Sequence, residues 1–308
     1  MFKVFIDGSA GTTGLKIFDR LKTRSDVTLI TLDDEFRKDV SKRKQAINDS
    51  DVCFLCLPDD AARESVSLVE NPNTVVIDTS TAHRTSDKFA YGFAELNGYR
   101  EKIKNSNFIA NPGCHASGFV ALVKPLIDLG VLDKNVKLSC TSITGYSGGG
   151  KKMIKEYEDS SRPSLFDAPR LYALNQTHKH LPEMQKVCGI YNAPLFMPIV
   201  SDYACGMEVI VPIFKSDLSC SLEQVKEIYK NAYNSKIVYY RDEGENGFLS
   251  ANLLSGRDDM QISVYGNEDR ILLVSRFDNL GKGASGAAIQ NMNIALSLEE
   301  TCGLVLGE

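Results

Sequence analysis

Residues 2–14 read FKVFIDGSAGTTG, a short apolar run followed by a glycine-rich stretch. The apolar residues predict a strand at 2–6, and the apolar residues three apart in 14–21 predict a helix. A strand, a glycine-rich turn and a helix in this order form the phosphate-binding unit of dinucleotide-binding folds. The spacing is GxxGxxG rather than GxGxxG, so the motif alone leaves a glycine-capped surface turn open.

The first hundred residues repeat this alternation of apolar runs and helix-like stretches. Further strands are predicted at 27–32, 51–57 and 74–77, and the last two are nearly uninterrupted apolar runs. Such runs are typical of strands buried on both faces of a parallel sheet. We therefore expect a Rossmann-like, doubly wound α/β domain over residues 1–113.

The pattern changes after residue 107. A short strand at 108–110 leads into a helix in which Pro125 should cause a kink or a weak point. Strand-like runs follow at 137–143, 207–214, 237–240, 261–265 and 270–277. They predict an α+β catalytic domain over 114–279 with a mainly antiparallel sheet. A last helix at 284–298 is expected to return to the first domain, so that 280–308 packs on it.

Composition limits the classes of protein that remain. The chain has 308 residues, 43% of them hydrophobic, and 35 Lys and Arg against 40 Asp and Glu give a net charge of -5. This balance argues against a nucleic-acid partner, because phosphate neutralisation needs clustered positive charge. Neither a signal peptide nor a membrane span is predicted, and the eight cysteines lack the dense spacing of a disulfide framework. We expect a cytoplasmic protein.

A dinucleotide would bind at the glycine-rich turn, through Gly8, Ser9, Gly11, Thr12, Thr13 and Gly14. The residues after the second strand bear on the choice of nucleotide. Asp33 and Asp34 could accept hydrogen bonds from the ribose of NAD, whereas Arg37 and Lys38 could pair with the 2′-phosphate of NADP. These residues leave the choice open, and a solvated charged loop is an equal alternative.

Cys114 is the candidate nucleophile among the eight cysteines. It follows Asn-Pro-Gly at a predicted helix start, where the helix dipole favours a thiolate. Two of the four histidines, His178 and His180, lie near the carboxylate of Glu183, and such a group can transfer a proton while the carboxylate orients a ring. A polar turn, a helix start and a pair of metal ligands are the alternatives, of which metal is the weakest. The C-x-x-C at Cys53 and Cys56 lies in an apolar run and is expected to be core.

Two further segments could hold an anion. Ser147, Gly148, Gly149 and Lys151 offer backbone N–H groups and an ammonium group, although a flexible hinge explains the glycines equally well. Arg84 follows a strand at the edge where doubly wound folds bind ligands, and it could clamp a carboxylate or phosphate, or form a surface ion pair.

Seven motifs together resemble the N-acetyl-γ-glutamyl-phosphate reductase family in its shorter, second type. They are GSAGTTG (8–14), CLPDDAARE (56–64), DTSTAHR (78–84), NPGC (111–114), GYSGGGKK (145–152), THKHLPE (177–183) and NLGKGASGAAIQNMN (279–293). The resemblance covers nearly the whole chain, because the motifs extend from residue 8 to residue 293.

The resemblance implies a semialdehyde-dehydrogenase-like fold and an NADP-dependent enzyme of arginine biosynthesis that uses a cysteine thioester. It implies that Cys114 is the nucleophile and that the acid or base lies in the H-x-H segment, which contains His178 and His180. Between these two we favour His180, with Glu183 as its orienting partner, and the choice stays open. Within the matched motifs, Pro58, Ser80 and Asn279 are expected at the cofactor, the last near the nicotinamide, and Asn111 at the substrate. A homo-oligomer, an acyl-phosphate substrate and inorganic phosphate as product are further implications, and no metal is expected.

Three alternatives remain at this stage. The same chemistry could act on another acyl phosphate, such as aspartyl phosphate. A non-catalytic NADP-binding regulator could keep the fold, although Cys114 and the histidine pair argue against it. A thiol hydrolase or acyltransferase would need no dinucleotide.

Overall fold

The computed structural model describes residues 1–307. The chain forms two compact units, one of residues 1–112 with 284–304 and the other of 113–283 with the residues from 305 onward. Each unit has its own sheet.

The first unit contains a six-stranded sheet in which every pairing is parallel. Its strands are β1 (Phe2–Asp7), β2 (Val27–Ile30), β3 (Val52–Leu55), β4 (Val75–Asp78), β5 (Ala90–Tyr91) and β6 (Phe108–Ala110). The order β2-β1-β3-β4-β6-β5 places β1 inside the sheet. β3 and β4 are wholly buried, as their apolar runs predict. This confirms the doubly wound fold class.

Five helices accompany this sheet. They are α1 (Thr12–Leu21), α2 (Val40–Asn48), α3 (Asp59–Ser67), α4 (Tyr99–Lys104) and, from the end of the chain, α9 (Gly286–Ala295). Ala288, Ile289 and Met292 of α9 pack into one core cluster with Ile17 of α1 and Ile77 of β4. The predicted return of the last helix to the first unit is confirmed.

The second unit contains a seven-stranded sheet in the order β11-β12-β13-β10-β7-β9-β8. Its strands are β7 (Ser139–Gly145), β8 (Arg170–Leu171), β9 (Leu195–Ser201), β10 (Met207–Phe214), β11 (Val238–Tyr240), β12 (Met260–Gly266) and β13 (Arg270–Phe277). The sheet is mixed, because β11·β12 and β7·β9 are parallel and the other pairs are antiparallel. The expectation of a mainly antiparallel sheet is confirmed.

The helices of this unit are α5 (Cys114–Asp128), α6 (Gly150–Glu158), α7 (Leu181–Cys188) and α8 (Leu222–Ala232). α5 continues through Pro125, where a kink or a weak point was expected. A proline has no N–H to donate to the carbonyl four residues back, which is that of Ala121. The Tyr233 hydroxyl donates to that carbonyl instead, at 2.8 Å. The helix keeps this carbonyl satisfied through a neighbouring side chain.

The end of the chain differs from the predicted boundary. The Asp258 N–H donates to the Val305 carbonyl at 2.7 Å, and the Val305 N–H donates to the Asp258 carboxylate at 2.8 Å. These reciprocal bonds tie the chain from residue 305 to the second unit rather than to the first. The predicted division into a dinucleotide-binding domain, 1–113 with 280–308 packing on it, and a catalytic domain, 114–279, stays a prediction.

Candidate functional site

The glycine-rich turn connects β1 to α1. Gly8 has a φ of +89°, and a Cβ there would lie 2.4 Å from the Cys56 carbonyl oxygen. A Cβ at Gly14 would lie 2.6 Å from the Gly8 carbonyl oxygen. Only glycine fits at both positions. The turn is therefore folded tightly on itself and against the residue that follows β3.

The start of α1 presents unpaired donors for an anion. Gly11 is its N-cap and brings no side chain, so no side-chain cap satisfies the first N–H groups. Thr12 and Thr13 form the first turn, which has no acidic residue. Free N–H groups and a positive helix end together bind phosphate well.

A cavity of about 610 Å³ opens beside this turn. Gly8 and Ser9 line it together with Arg37 and Lys38, while among the described residues Asp33 and Asp34 do not. Asp34 instead pairs with Arg37, with 2.7 Å between Oδ1 and Nη2. The glycine-rich turn, the start of α1 and the cavity lined by Arg37 and Lys38 therefore fit a dinucleotide that carries a 2′-phosphate.

A buried ion pair lies in the wall of the same cavity. Asp7, at the end of β1, receives hydrogen bonds from the Arg43 guanidinium at 3.1–3.3 Å and from the Ser65 hydroxyl at 2.8 Å. Arg43 also donates to Glu64 at 2.8 Å. Arg43 thus pairs with both carboxylates, and its single positive charge offsets one of their two negative charges.

Pro58 and Ser80 follow neighbouring strands of the first sheet. Pro58 is the N-cap of α3, directly after β3. Ser80 follows β4, where its backbone N–H and hydroxyl both donate to the Asp78 carboxylate at 2.8 Å. Their predicted cofactor contacts stay a prediction.

Arg84 and Asn111 belong to the first unit as well. The Arg84 guanidinium donates to the carbonyls of Asn111 and Thr79, both at 2.9 Å. The Asn111 side chain is 1% exposed, donates to the Ala284 carbonyl and accepts from Asn291. Arg84 thereby supports the segment that leads to the cysteine, and its predicted role as a substrate clamp stays a prediction.

Cys114 is the first residue of α5, with Gly113 as the N-cap. The Gly113 N–H donates to Oε1 of Glu183 at 2.8 Å, and this carboxylate is 1% exposed. The predicted helix start is confirmed, and the structure adds that Glu183 holds the residue before the cysteine. The helix has no acidic residue in its own first turn, and the Glu183 carboxylate bound to the Gly113 N–H is the negative charge at its positive end.

The two predicted histidines form one cluster with a third. The ring centroids of His178 and His180 are 4.8 Å apart, and each lies 5.5 Å from the ring of His115, the residue after Cys114. His180 is the N-cap of α7, whose first turn contains Glu183. Burial, with a further contribution from the charge of Lys179, lowers the pKa of His178 to about 4. His178 is therefore a neutral imidazole at neutral pH.

Sequence reasoning missed His115, Ser142 and Tyr172. His115 contacts both hydroxyls at 2.7 Å, and all three groups lie in the second unit beside the histidine pair. The position of His115 immediately after the cysteine was the only available signal. Residues about sixty positions apart give no pattern that indicates their closeness.

The side chain of Asn279 forms a hydrogen bond with the glycine-rich segment after β7. Its Nδ2 donates to the Ser147 hydroxyl at 3.0 Å, and its Oδ1 accepts from the Gly206 N–H at 2.9 Å. Gly148 and Gly149 lie in the 3₁₀ turn 146–149, and Lys151 lies exposed in the first turn of α6. The structure thus places Asn279 beside the predicted anion segment. Its role near the nicotinamide stays a prediction.

Cys53 and Cys56 lie within and just after β3, and burial raises the pKa of Cys56 to about 12. Such thiols are inert at neutral pH. Among residues 1–307, no group of three or more His, Cys, Asp or Glu side chains is arranged to hold a metal ion. Nor is any helix in this part of the chain both long and apolar enough to cross a membrane.

Comparisons with known proteins agree with this geometry. Residues 33–106 match the family described as "Semialdehyde dehydrogenase, NAD binding domain", and residues 114–279 match "Semialdehyde dehydrogenase, dimerisation domain". The solved aspartate semialdehyde dehydrogenase II of Vibrio cholerae, complexed with ASA, is 16% identical, with a TM-score of 0.70 over 96% of this chain and 98% of that one. The solved aspartate semialdehyde dehydrogenase of Francisella tularensis is 13% identical, with a TM-score of 0.70 over 96% of this chain and 99% of that one. Fold and domains are those of the semialdehyde dehydrogenase class.

Curated relatives define the class more narrowly. N-acetyl-gamma-glutamyl-phosphate reductase 2 of Nostoc sp. is 42% identical over 98% of this chain and 99% of its own. The N-acetyl-gamma-glutamyl-phosphate reductase of Brucella ovis is 43% identical over 96% and 98%. The chain belongs to the N-acetyl-γ-glutamyl-phosphate reductase family, and the resemblance that the motifs indicated is confirmed.

Proposed function

We propose that this chain catalyses the NADPH-dependent reduction of N-acetyl-L-glutamyl 5-phosphate to N-acetyl-L-glutamate 5-semialdehyde and phosphate, a step of arginine biosynthesis. The observation that carries the proposal is the position of Cys114 at the N-terminus of α5, next to the histidine cluster. Family membership supplies the substrate. Gly8, Gly11 and Gly14 with Arg37 and Lys38 are the residues that would hold the cofactor.

Cys114 performs the first half of the reaction. Its thiolate attacks the acyl carbon, a carbon–sulfur bond forms, and the bond from carbon to the phosphate oxygen breaks. The product is a thioester, and the phosphate that leaves carries the one proton that the reaction consumes. A thiolate suits this task because it is both a good nucleophile and a good leaving group. Lys151 and the N–H groups around Ser147 are the proposed anion contacts.

NADPH, when bound, supplies the hydride that reduces the thioester carbon. His180 gives a proton to the substrate oxygen as its charge develops, and takes the proton back as the carbonyl reforms and the sulfur is expelled. Glu183 holds the Gly113 N–H and thereby fixes the start of α5. It also lies one helical turn from His180, which is why we assign it as the orienting group.

The proposal includes a cytoplasmic, homo-oligomeric enzyme. The outward face of the second sheet carries apolar side chains, among which Leu195 is 57%, Phe214 63% and Leu272 43% exposed. The register of β9, β7, β10 and β13 places these residues on one face. An exposed apolar patch of this kind is typical of a protein interface. Sedimentation of the purified chain would test it, and a monomer would refute this part of the proposal.

Replacement of Cys114 by Ser tests the proposed function. We expect turnover with N-acetylglutamyl phosphate and NADPH to fall at least about 10³-fold, since an alcohol at this position is not ionised. NADPH binding should be unchanged. The matched control is Cys220→Ser, a half-buried cysteine of the same unit that the proposed chemistry does not use. Equal turnover of the Cys114 variant, or a preference for aspartyl phosphate, would contradict the proposal.

A further inference from the structure

One wall of the cavity beside the glycine-rich turn contains a buried carboxylate. Asp7 ends β1 directly before Gly8, and both residues line the cavity. Asp7 is 4% exposed, so little water or salt can screen its charge. The phosphates of a dinucleotide are anions, and an unpaired carboxylate in this wall would repel them. The proposed function gives Asp7 no role.

Arg43 of α2 pairs with this carboxylate. Its Nε lies 3.3 Å from Oδ1 and 3.2 Å from Oδ2 of Asp7, and its Nη2 lies 3.1 Å from Oδ2. The Ser65 hydroxyl of α3 donates to the same Oδ2 at 2.8 Å. Arg43 is 6% exposed and lines the cavity as well. The pair is therefore buried in the wall, and several hydrogen bonds hold the two charges in contact.

The second carboxylate at Arg43 has different surroundings. Glu64 accepts a hydrogen bond from Nη1 at 2.8 Å, but its side chain is 49% exposed. Water and salt screen an exposed charge, whereas they screen a buried charge much less. The charge of Asp7 is thus the one that nucleotide phosphates in the cavity would meet if Arg43 were absent.

We propose that Arg43 is a positioning residue for the cofactor, which holds and neutralises Asp7 and thereby keeps this wall from repelling the nucleotide phosphates. Arg43 acts through Asp7 rather than by contact with the 2′-phosphate, which is the task proposed for Arg37 and Lys38. It therefore serves NADPH and NADH alike. The proposal rests on the proposed function in taking this cavity as the nucleotide site.

The test measures the Kd of NADPH and the Kd of NADH by fluorescence titration in the absence of an acyl phosphate. Arg43→Met removes the positive charge and keeps an apolar stem. Because it leaves a buried carboxylate without its cation, we expect both Kd values to rise about 10-fold. Arg43→Lys keeps the charge, and both values should rise less than in Arg43→Met.

Replacement of Asp7 separates the neutralisation of charge from a structural role. Asp7→Asn removes the negative charge, so the charge of Arg43 attracts the phosphates and both Kd values should fall about 3-fold. The double variant Asp7→Asn with Arg43→Met has neither charge, and both values should return to within about 3-fold of the wild type. A network needed only for folding would weaken binding in all of these variants.

Lys44→Met is the matched control, because Lys44 is the next residue of α2, pairs with Glu70 at 2.6 Å and, in the described part of the chain, does not line the cavity. It should leave both Kd values unchanged. The proposal is overturned if Arg43→Met weakens the binding of NADPH alone, or if the double variant binds no better than Arg43→Met.

A second comparison covers the case in which circular dichroism shows that Arg43→Met does not fold. Asp7→Asn alone then decides, since tighter binding of both nucleotides supports the proposal and unchanged or weaker binding overturns it. Turnover is not measured in these titrations, so failure here is distinct from retained turnover in Cys114→Ser, which would refute the proposed function.

Discussion

His180 and His178 lie in one cluster, and we propose different tasks for them from their different surroundings. The N–H of His180 donates to Nδ1 of His178 at 3.2 Å, and Glu183 follows His180 in the first turn of α7. His178 is held neutral by burial and by Lys179. The geometry therefore favours His180 for proton transfer and His178 for support.

Replacement of His180 by Asn tests this division. A positioned acid or base contributes about 10²–10⁴-fold, so kcat should fall by that factor while the Kd of NADPH stays the same. His178→Asn is the control and should cost less. If turnover survived in His180→Asn but was lost in His178→Asn, His178 rather than His180 would be the residue that transfers the proton.

We propose that the choice of NADP over NAD depends on Arg37 and Lys38. Both line the cavity, and each charge-assisted hydrogen bond to a 2′-phosphate is worth about 1.5–3 kcal/mol. Arg37→Ala with Lys38→Ala should raise the KM for NADPH at least about 10-fold and leave that for NADH nearly unchanged. Lys42→Ala is the control, since Lys42 lies over the Phe36 ring outside the cavity. An equal rise for both nucleotides would place the 2′-phosphate elsewhere.

At the scale of the element, α5 shows how a helix accommodates a proline. The Tyr233 hydroxyl fills the position of the N–H that Pro125 lacks. Tyr229, one turn earlier on α8, likewise donates to the Leu122 carbonyl. Both phenols bind α8 to the helix that carries Cys114.

A double-mutant cycle at Pro125 and Tyr233 tests this compensation. Tyr233→Phe leaves a buried carbonyl without its phenol donor and should lower the free energy of unfolding by about 1–3 kcal/mol. In a Pro125→Ala background the new N–H can serve the same carbonyl, and so the loss should be smaller. Urea unfolding measures both, and equal losses in the two backgrounds would contradict the compensation.

Elements with a clear apolar pattern could be predicted from the sequence, and some others could not. β6, β10 and β13 have the predicted bounds, because apolar runs and turn residues mark their ends. β9 was not predicted, because Pro198 divides it into two short pieces, whereas the proline of β10, Pro212, lies near the end of that strand. On one side β9 pairs only with the two-residue strand β8, so the N–H group that Pro198 lacks removes little of the pairing in the sheet.

Of the candidate site, local features were predictable and distant contacts were not. The glycine turn and the helix start at Cys114 are encoded in a few adjacent residues. The approach of His115 to His178, and of Asn279 to Ser147, depends on how β7, β10 and β13 pair. Sequence order carries no local signal for such contacts.

For the whole molecule, the buried titratable groups predict how stability depends on pH. The folded pKa values of His115, about 3, and His178, about 4, lie below the unfolded value near 6.5. The unfolded chain therefore binds more protons as pH falls below 6.5, and stability is lost. Glu208 acts oppositely, because burial raises its pKa to about 7 and the folded state holds its proton.

Two histidines outweigh one carboxyl, so the free energy of unfolding should decrease from pH 6.5 to 5. Glu208→Gln removes the opposing contribution and should make the decrease steeper, whereas His178→Gln should make it shallower. Urea unfolding at both pH values measures the slopes. A shallower decrease in Glu208→Gln, or no change in His178→Gln, would contradict these assignments.

The most direct measurement is peptide mass spectrometry of the enzyme after incubation with N-acetylglutamyl phosphate in the absence of NADPH. With no hydride available, the acyl group should remain on the protein, on the peptide that contains Cys114, with about one phosphate released per chain. Addition of NADPH should remove the acyl group and yield the semialdehyde. Acylation of another residue, or turnover with Cys114 never acylated, would contradict the account.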